Sequence, residues 1–269
     1  INILNEENCI QMHVTSCFIK AEAVRKWTFN EEQNYGEDTV YISRIIMDRG
    51  RYGVVTKAVC NYRKRGNDSS AVQGMRGKKK WYIETPDQFY GELIRFSMER
   101  YGTVIRYLQQ LLVYDLQYRV GFGYNHVLNK EEFETYRQTV HKYLSYVDNS
   151  CIIRSKTLTM DDKIRMLSFK EGSLNREQLS LRDNIVMYQD SALVNLADRG
   201  ATLMVNFLSV ENDTLILEGC IRTWILSCWP ELQLKYVVDE QKYYPAVFND
   251  YDIGKKETIT GDEWQLRFY

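Results

Sequence analysis

Neither sign of charge is in excess in this chain. Its 269 residues carry 35 Lys and Arg against 36 Asp and Glu, a formal net charge of −1, and that balance excludes a nucleic-acid binder driven by overall charge. The Cys residues, at positions 9, 17, 60, 151, 220 and 228, form no C-x-x-C pair, which excludes a zinc ribbon or a thioredoxin-like redox motif. Cys17, Cys60 and Cys220 lie within apolar runs, which suits buried free thiols in a reducing compartment. No apolar run approaches the length that spans a bilayer, and no signal peptide is recognisable. His13, His126 and His141 are too far apart in sequence to form a metal cluster. His13 lies in an apolar, strand-like run and reads as structural, whereas His126 and His141 read as solvated residues of helix faces. No internal repeat is visible. The opening residues, INILNEEN, include no Met, so the chain reads as a piece, or a processed product, of a longer protein.

What is abundant is Tyr, with 20 residues. Its flat apolar body and polar tip suit sugar or protein surfaces. The order of patterns along the chain predicts a multidomain α+β protein. Residues 1–75 read as mixed α/β, with a short strand and a helix in CFIKAEAVRKW (17–27) and strands in RYGVVTKAVCNYRKR (51–65). RGNDSS (65–70) is a polar loop, and QGMRGKKK (73–80) a basic connector. Residues 76–172 read as helical. Thr85-Pro86-Asp87-Gln88 has the form of a capping box with Pro at the first helical position. Phe89, Leu93 and Phe96 mark one helix, Val104, Leu108, Leu111 and Asp115 a second, and Phe133, Tyr136, Val140, Leu144 and Val147 a third. Asp115 and Arg119 are spaced as an i,i+4 ion pair, which on an exposed helix is worth roughly 0.2–0.5 kcal/mol. Thr159-x-x-Asp162 caps a short helix that ends near Gly172. Residues 173–269 become β-rich from about 183, with short apolar runs between Asp, Gly and Asn turns. That spacing predicts an immunoglobulin-like antiparallel β-sandwich. Trp224, Trp229 and Tyr243-Tyr244 in this region read as core or as a sugar platform.

The stretch with chemical content is NYGEDTVYISR, residues 34–44. Glu37 and Asp38 follow Gly36 and open a helix marked by Val40, Ile42, Ile45 and Ile46. Two carboxylates at a helix N-terminus are kept ionised by the backbone N–H groups and the helix dipole. An ionised carboxylate beside a sugar-binding cleft can take a proton from a hydroxyl. The pair alone also fits an ordinary acidic helix start. Downstream, Tyr62-Arg63-Lys64-Arg65 is followed by Ser69-Ser70. Arg63 or Arg65 could hold a pyrophosphate through charge-assisted, bidentate hydrogen bonds, with Ser69 or Ser70 donating a further one. A solvated strand end is the plainer reading of YRKR.

Taken together, Ser16-Cys17-Phe18-Ile19, Phe29, the Gly36-Glu37-Asp38 helix and Arg63…Ser69 resemble the second half of a family-2 glycosyltransferase domain of the GT-A type. They are most similar to bacterial surface-polymer enzymes such as the poly(ribitol-phosphate) N-acetylglucosaminyltransferases of wall teichoic acid and their capsule relatives. The resemblance implies an inverting transfer from a nucleotide-sugar, a UDP-sugar above all, to a polysaccharide or polyol-phosphate acceptor. In that scheme Asp38 is the general base and Glu37 orients the acceptor. Arg63, Arg65, Ser69 and Ser70 bind the donor pyrophosphate. It further implies a GT-A half in residues 1–75, a helical linker, and a β module that mediates homo-oligomers. The expected location is cytoplasmic, at the inner face of the plasma membrane, with peripheral membrane association at most and no nucleic-acid partner. The family's divalent ion, Mg or Mn, is held by a D-x-D motif that does not occur before Gly36 here. Asp250-Tyr251-Asp252 has the spacing but reads as a turn in the β-rich region. The expectation is that this piece alone does not turn over. Two other classes remain open on the residues: a non-catalytic carbohydrate-binding or assembly module, and part of a polyol-phosphate transferase.

Overall fold

The computed structural model describes residues 1–30, 33, 35–59, 74–75, 77–120, 127–172, 176–183, 185–195, 202–211, 214–222, 235–238, 242–245, 254–258 and 261–268. These fall into two compact units, Ile1–Leu158 with Asp162–Leu174, and Thr159–Asp161 with Asn175–Tyr269. Helices make the first and antiparallel strands the second, so the chain is mixed α and β.

The first unit contains α1 (Ala21–Lys26), α2 (Glu37–Arg49), α3 (Lys79–Ile83), a π-helical turn at Asp87–Gly91 that runs into α4 (Glu92–Tyr101), α5 (Arg106–Val120), α6 (Lys130–Leu144), α7 (Asn149–Ile153) and most of α8 (Met160–Glu171). Helix α2 is buried on almost every side, through Val40, Tyr41, Ile42, Ile45, Ile46 and Met47. It packs on α4, and an Arg44–Glu92 ion pair ties the two together. Gly50, at φ 69°, ends α2 by returning its N–H to Ile46 O at 2.8 Å, the left-handed stop that glycine makes without strain. Helix α5 is the centre of the unit: Tyr107, Leu108, Leu111, Leu112, Leu116 and Val120 are wholly buried. Around it sit Trp81, Tyr82, Phe89, Tyr90, Tyr136 and Tyr143, all buried. Much of the Tyr that suited a binding surface is therefore core here, with hydroxyls directed at internal partners. Tyr136, for example, donates to Arg119 O at 2.9 Å.

Several local expectations are corrected. Residues 17–20 form no strand, and His13 is exposed in irregular backbone next to a short 3-10 turn at Val14–Ser16. No strand forms over 51–59 either; Arg51 makes a single bridge to Asn2. Val54, Val55 and Val59 are 61, 71 and 85 % exposed, because no neighbouring strand among the described residues pairs with them. Residues 60–65 lie outside the described residues. The capping box at Thr85 is absent. Thr85 Oγ1 donates backwards to Lys80 O at 3.0 Å, and Pro86 is already helical. A proline inside a helix withholds one N–H, and the π-helical turn begins at the next residue, Asp87. A genuine capping box starts α6, where Asn129 Oδ1 accepts from Glu132 N at 2.9 Å and Glu132 Oε2 from Asn129 N at 2.8 Å. Among the described cysteines the buried thiol is Cys151, while Cys17 is half-buried and Cys9 exposed. Burial pushes the Cys151 thiol up to about 11. Helix α8 does end at Gly172, at φ 86°.

In the second unit β1 (Leu179–Arg182), β2 (Ile185–Tyr188) and β3 (Ser191–Asn195) form an antiparallel meander. Gln189 and Asp190 turn β2 into β3 with φ of 47° and 63°, the positive pair that a two-residue hairpin loop needs. A four-stranded antiparallel sheet has the order β4 (Thr202–Glu211), β5 (Thr214–Arg222), β9 (Gly261–Phe268), β8 (Gly254–Thr258), and β6 (Lys235–Val238) pairs with β7 (Lys242–Pro245). Trp224, Trp229, Asp250 and Asp252 lie outside the described residues.

Candidate functional site

Gly36 sets the entry of α2. It sits at φ 74°, in the left-handed region, and the helix begins with its carbonyl accepting from Val40 N at 2.8 Å. A Cβ on Gly36 would lie 3.2 Å from ring atoms of Phe89, so conformation and close approach both call for glycine. Glu37 and Asp38 follow in the first turn, both half-buried. No ion pair or hydrogen bond to either carboxylate is present among the described residues. They are thus held at one place by the helix, reachable by solvent, and paired with no cation among the described residues. Most other carboxylates near α2 are paired: Asp48 with Lys26 at 2.9 Å, Glu22 with Arg49 at 2.6 Å, Glu92 with Arg44. Arg44 is held by Glu92 and lies over Trp27, 5.6 Å from the ring centroid; burial lowers its pKa, with the Arg95 charge adding to the effect. Phe29, 42 % exposed, stacks on Tyr41 at 4.1 Å between centroids, one helical turn beyond the carboxylates. Arg63, Arg65, Ser69 and Ser70 lie outside the described residues.

The residues before Gly36 are fixed from the centre of the unit. Gln33, 4 % exposed, donates from Nε2 to Tyr35 O at 2.8 Å. Tyr35 donates its hydroxyl to Asp115 Oδ1 at 3.0 Å, across a separation of 80 residues, and lays its ring edge-on to Trp81 with centroids 4.2 Å apart. Asp115 Oδ2 accepts from Arg119 Nε at 3.0 Å and from the Tyr90 hydroxyl. The Arg119 guanidinium stacks 4.2 Å from the Trp81 centroid and donates to Trp81 O. Asp115 and Arg119 are 1 and 0 % exposed. Burial raises the Tyr90 pKa well above the usual phenol range, with the Asp115 charge adding to it. The expected i,i+4 pair therefore exists, but as a buried one, and the surface value of a few tenths of a kcal/mol does not apply. The missed signal is legible afterwards: an Asp and an Arg one turn apart in a helix otherwise built of Leu, Val and Tyr.

Among the described residues no cluster of three or more His, Cys, Asp or Glu could hold a metal ion, and no helix is long and apolar enough to cross a membrane.

Comparison with known proteins shows the chain to be a relative of teichoic acid biosynthesis proteins, as its sequence led one to expect. It is 26% identical over 225 residues to the minor teichoic acid biosynthesis protein GgaB of Bacillus subtilis (strain 168), covering 81% of this chain and 25% of the relative. It is 28% identical over 224 residues to the minor teichoic acid biosynthesis protein GgaA of the same organism, covering 83% of this chain and 44% of the relative. The chain thus spans from a quarter to under half of the length of these curated relatives. No family model matches the chain, and no solved structure does.

Proposed function

We propose that this chain carries the acceptor-side part of an inverting glycosyltransferase that moves a sugar from a nucleotide-sugar, a UDP-sugar in the leading case, to a bacterial cell-surface polymer. The observation that carries the reading is the Glu37-Asp38 pair: fixed, solvent-reachable carboxylates, with no counter-ion among the described residues, at the start of a buried helix in a chain related to teichoic acid biosynthesis proteins. In this reading the acceptor oxygen attacks the anomeric carbon as the bond from that carbon to the phosphate oxygen breaks. Asp38 takes the proton of the acceptor hydroxyl, and Glu37 orients that hydroxyl. General-base help of this kind is worth about 10²–10⁴ in rate. Arg63, Arg65, Ser69 and Ser70 would stabilise the departing diphosphate by charge-assisted hydrogen bonds. The described residues gather no ligand set for the Mg or Mn ion that the resemblance implies.

The same reading assigns residues 1–75 to the glycosyltransferase domain, 76–172 to a helical linker and 173–269 to an immunoglobulin-like sandwich that joins copies of the chain. It places the protein in the cytoplasm, at the inner face of the plasma membrane. The test is sugar transfer by the intact protein that carries this chain, with a panel of UDP-sugars and a poly(polyol-phosphate) acceptor. Asp38→Asn is expected to lower kcat by about 10²–10⁴ and to leave donor KM nearly unchanged. Retention of most turnover removes Asp38 as the base. Transfer from CDP-polyols in place of UDP-sugars moves the protein to the polyol-phosphate transferases.

A further inference from the structure

The Asp115 carboxylate divides its two oxygens. Oδ2 serves the interior, accepting from Arg119 and Tyr90, while Oδ1 reaches out of α5 to the Tyr35 hydroxyl, three residues before Asp38. A buried ion pair is a poor way to gain stability, because apolar residues of the same volume usually do as well or better. What such a pair supplies is a directed contact at a fixed place, and here the outward contact falls on the entry to α2. The other restraints on that entry converge with it. The Tyr35 ring rests on Trp81 and lies 5.2 Å from the Arg119 guanidinium, Gly36 abuts Phe89, and the buried Gln33 amide binds the Tyr35 carbonyl. A proton-accepting carboxylate has to be held within about 0.5 Å of its productive place.

We propose that Asp115, braced by Arg119 and Tyr90, is a positioning residue that fixes Tyr35 and thereby the point at which Asp38 meets the acceptor hydroxyl. The inference rests on the glycosyl-transfer reading for its chemistry, and on the geometry alone for the anchor. It assigns the helical segment a part in the site as well as a role as scaffold.

The experiment compares the intact protein with Tyr35→Phe, which removes only the hydroxyl, with Asp115→Asn and Asp38→Asn, and with Tyr143→Phe as a control. The control deletes another tyrosine–aspartate bond of the same unit, to Asp87. Amide hydrogen exchange is read by segment, and steady-state transfer with the UDP-sugar panel. Tyr35→Phe is expected to speed exchange at residues 35–40 about tenfold, to leave α5 and α6 unchanged, and to lower kcat about ten- to a hundredfold at constant donor KM. The control should match wild type on both measures. Wild-type exchange at 35–40 in both Tyr35→Phe and Asp115→Asn overturns the proposal. So does faster exchange spread evenly through the unit, which marks a purely structural role. Unaltered Tyr35→Phe turnover beside a crippled Asp38→Asn also overturns it. A local change in exchange with Asp38→Asn fully active sinks the glycosyl-transfer reading and upholds the anchor.

Discussion

Gly36 concentrates more constraint than any other described residue near the site. Its φ of 74° places it where a side chain is strained, and the space a Cβ would need is taken by Phe89. Replacement by Ala combines the left-handed penalty with overpacking against an aromatic ring. Gly36→Ala is expected to lower unfolding stability by roughly 2–4 kcal/mol, measured by urea denaturation as a shift in midpoint at unchanged slope. A midpoint equal to wild type would mean that the α2 entry is not tightly held. At this scale the sequence discloses the Gly36-Glu37-Asp38 string, since glycine before an acidic helix start is a local signal. It does not disclose Tyr35 as an anchored residue. That contact depends on Asp115, 80 positions away, and no local pattern links the two. The arginines and serines assigned to the donor lie outside the described residues, so their part in the site rests on resemblance.

Among the elements, helices α5 and α6 follow from apolar periodicity. Val104, Leu108, Leu111, Phe133, Tyr136, Val140 and Leu144 are all buried, as spacing predicts. The short strand expected to open residues 17–27 does not form, nor do those expected over 51–65 in the described part, 51–59, and the reason is non-local. An alternating run becomes a strand only when another edge supplies partners, and among the described residues the short Ile1–Ile3 stretch pairs only with Gly50–Tyr52. The helix start expected at Thr85 fails for a local reason. Thr85-Pro86 has the right letters, but its backbone is already helical from the turn before, so the side chain has no end to cap. Asn129, with Glu132, caps a real end. Asn129→Ala is expected to destabilise the unit by about 0.5–2 kcal/mol, seen as a lower Tm, while Thr85→Ala disturbs no cap. A Tm unchanged by Asn129→Ala would remove that cap.

At the level of the whole molecule, the chain divides into a helical unit with an extensive core and a strand-built unit assembled from antiparallel hairpins. The shift from helical to strand patterning is legible from about residue 183, because the apolar period changes from 3.6 to 2. How sheets pair with one another is a question of long-range packing, which alternation does not encode. A compact unit with its own core can fold alone. A chain ended after Leu174 is accordingly expected to keep a cooperative thermal transition and a helical circular-dichroism spectrum. A broad, non-cooperative melt would show that the helical unit depends on the strands.

The Tyr35–Asp115 bond also has an evolutionary consequence. It stitches together stretches on either side of the 75/76 junction where the glycosyltransferase domain and the linker are taken to meet. A hybrid gene joined at that junction from two diverged parents would inherit the phenol from one lineage and the acid from the other. A graft that parts the two halves of the clasp is expected to lose the bond, and one with its breakpoint before residue 33 or after residue 119 to keep it.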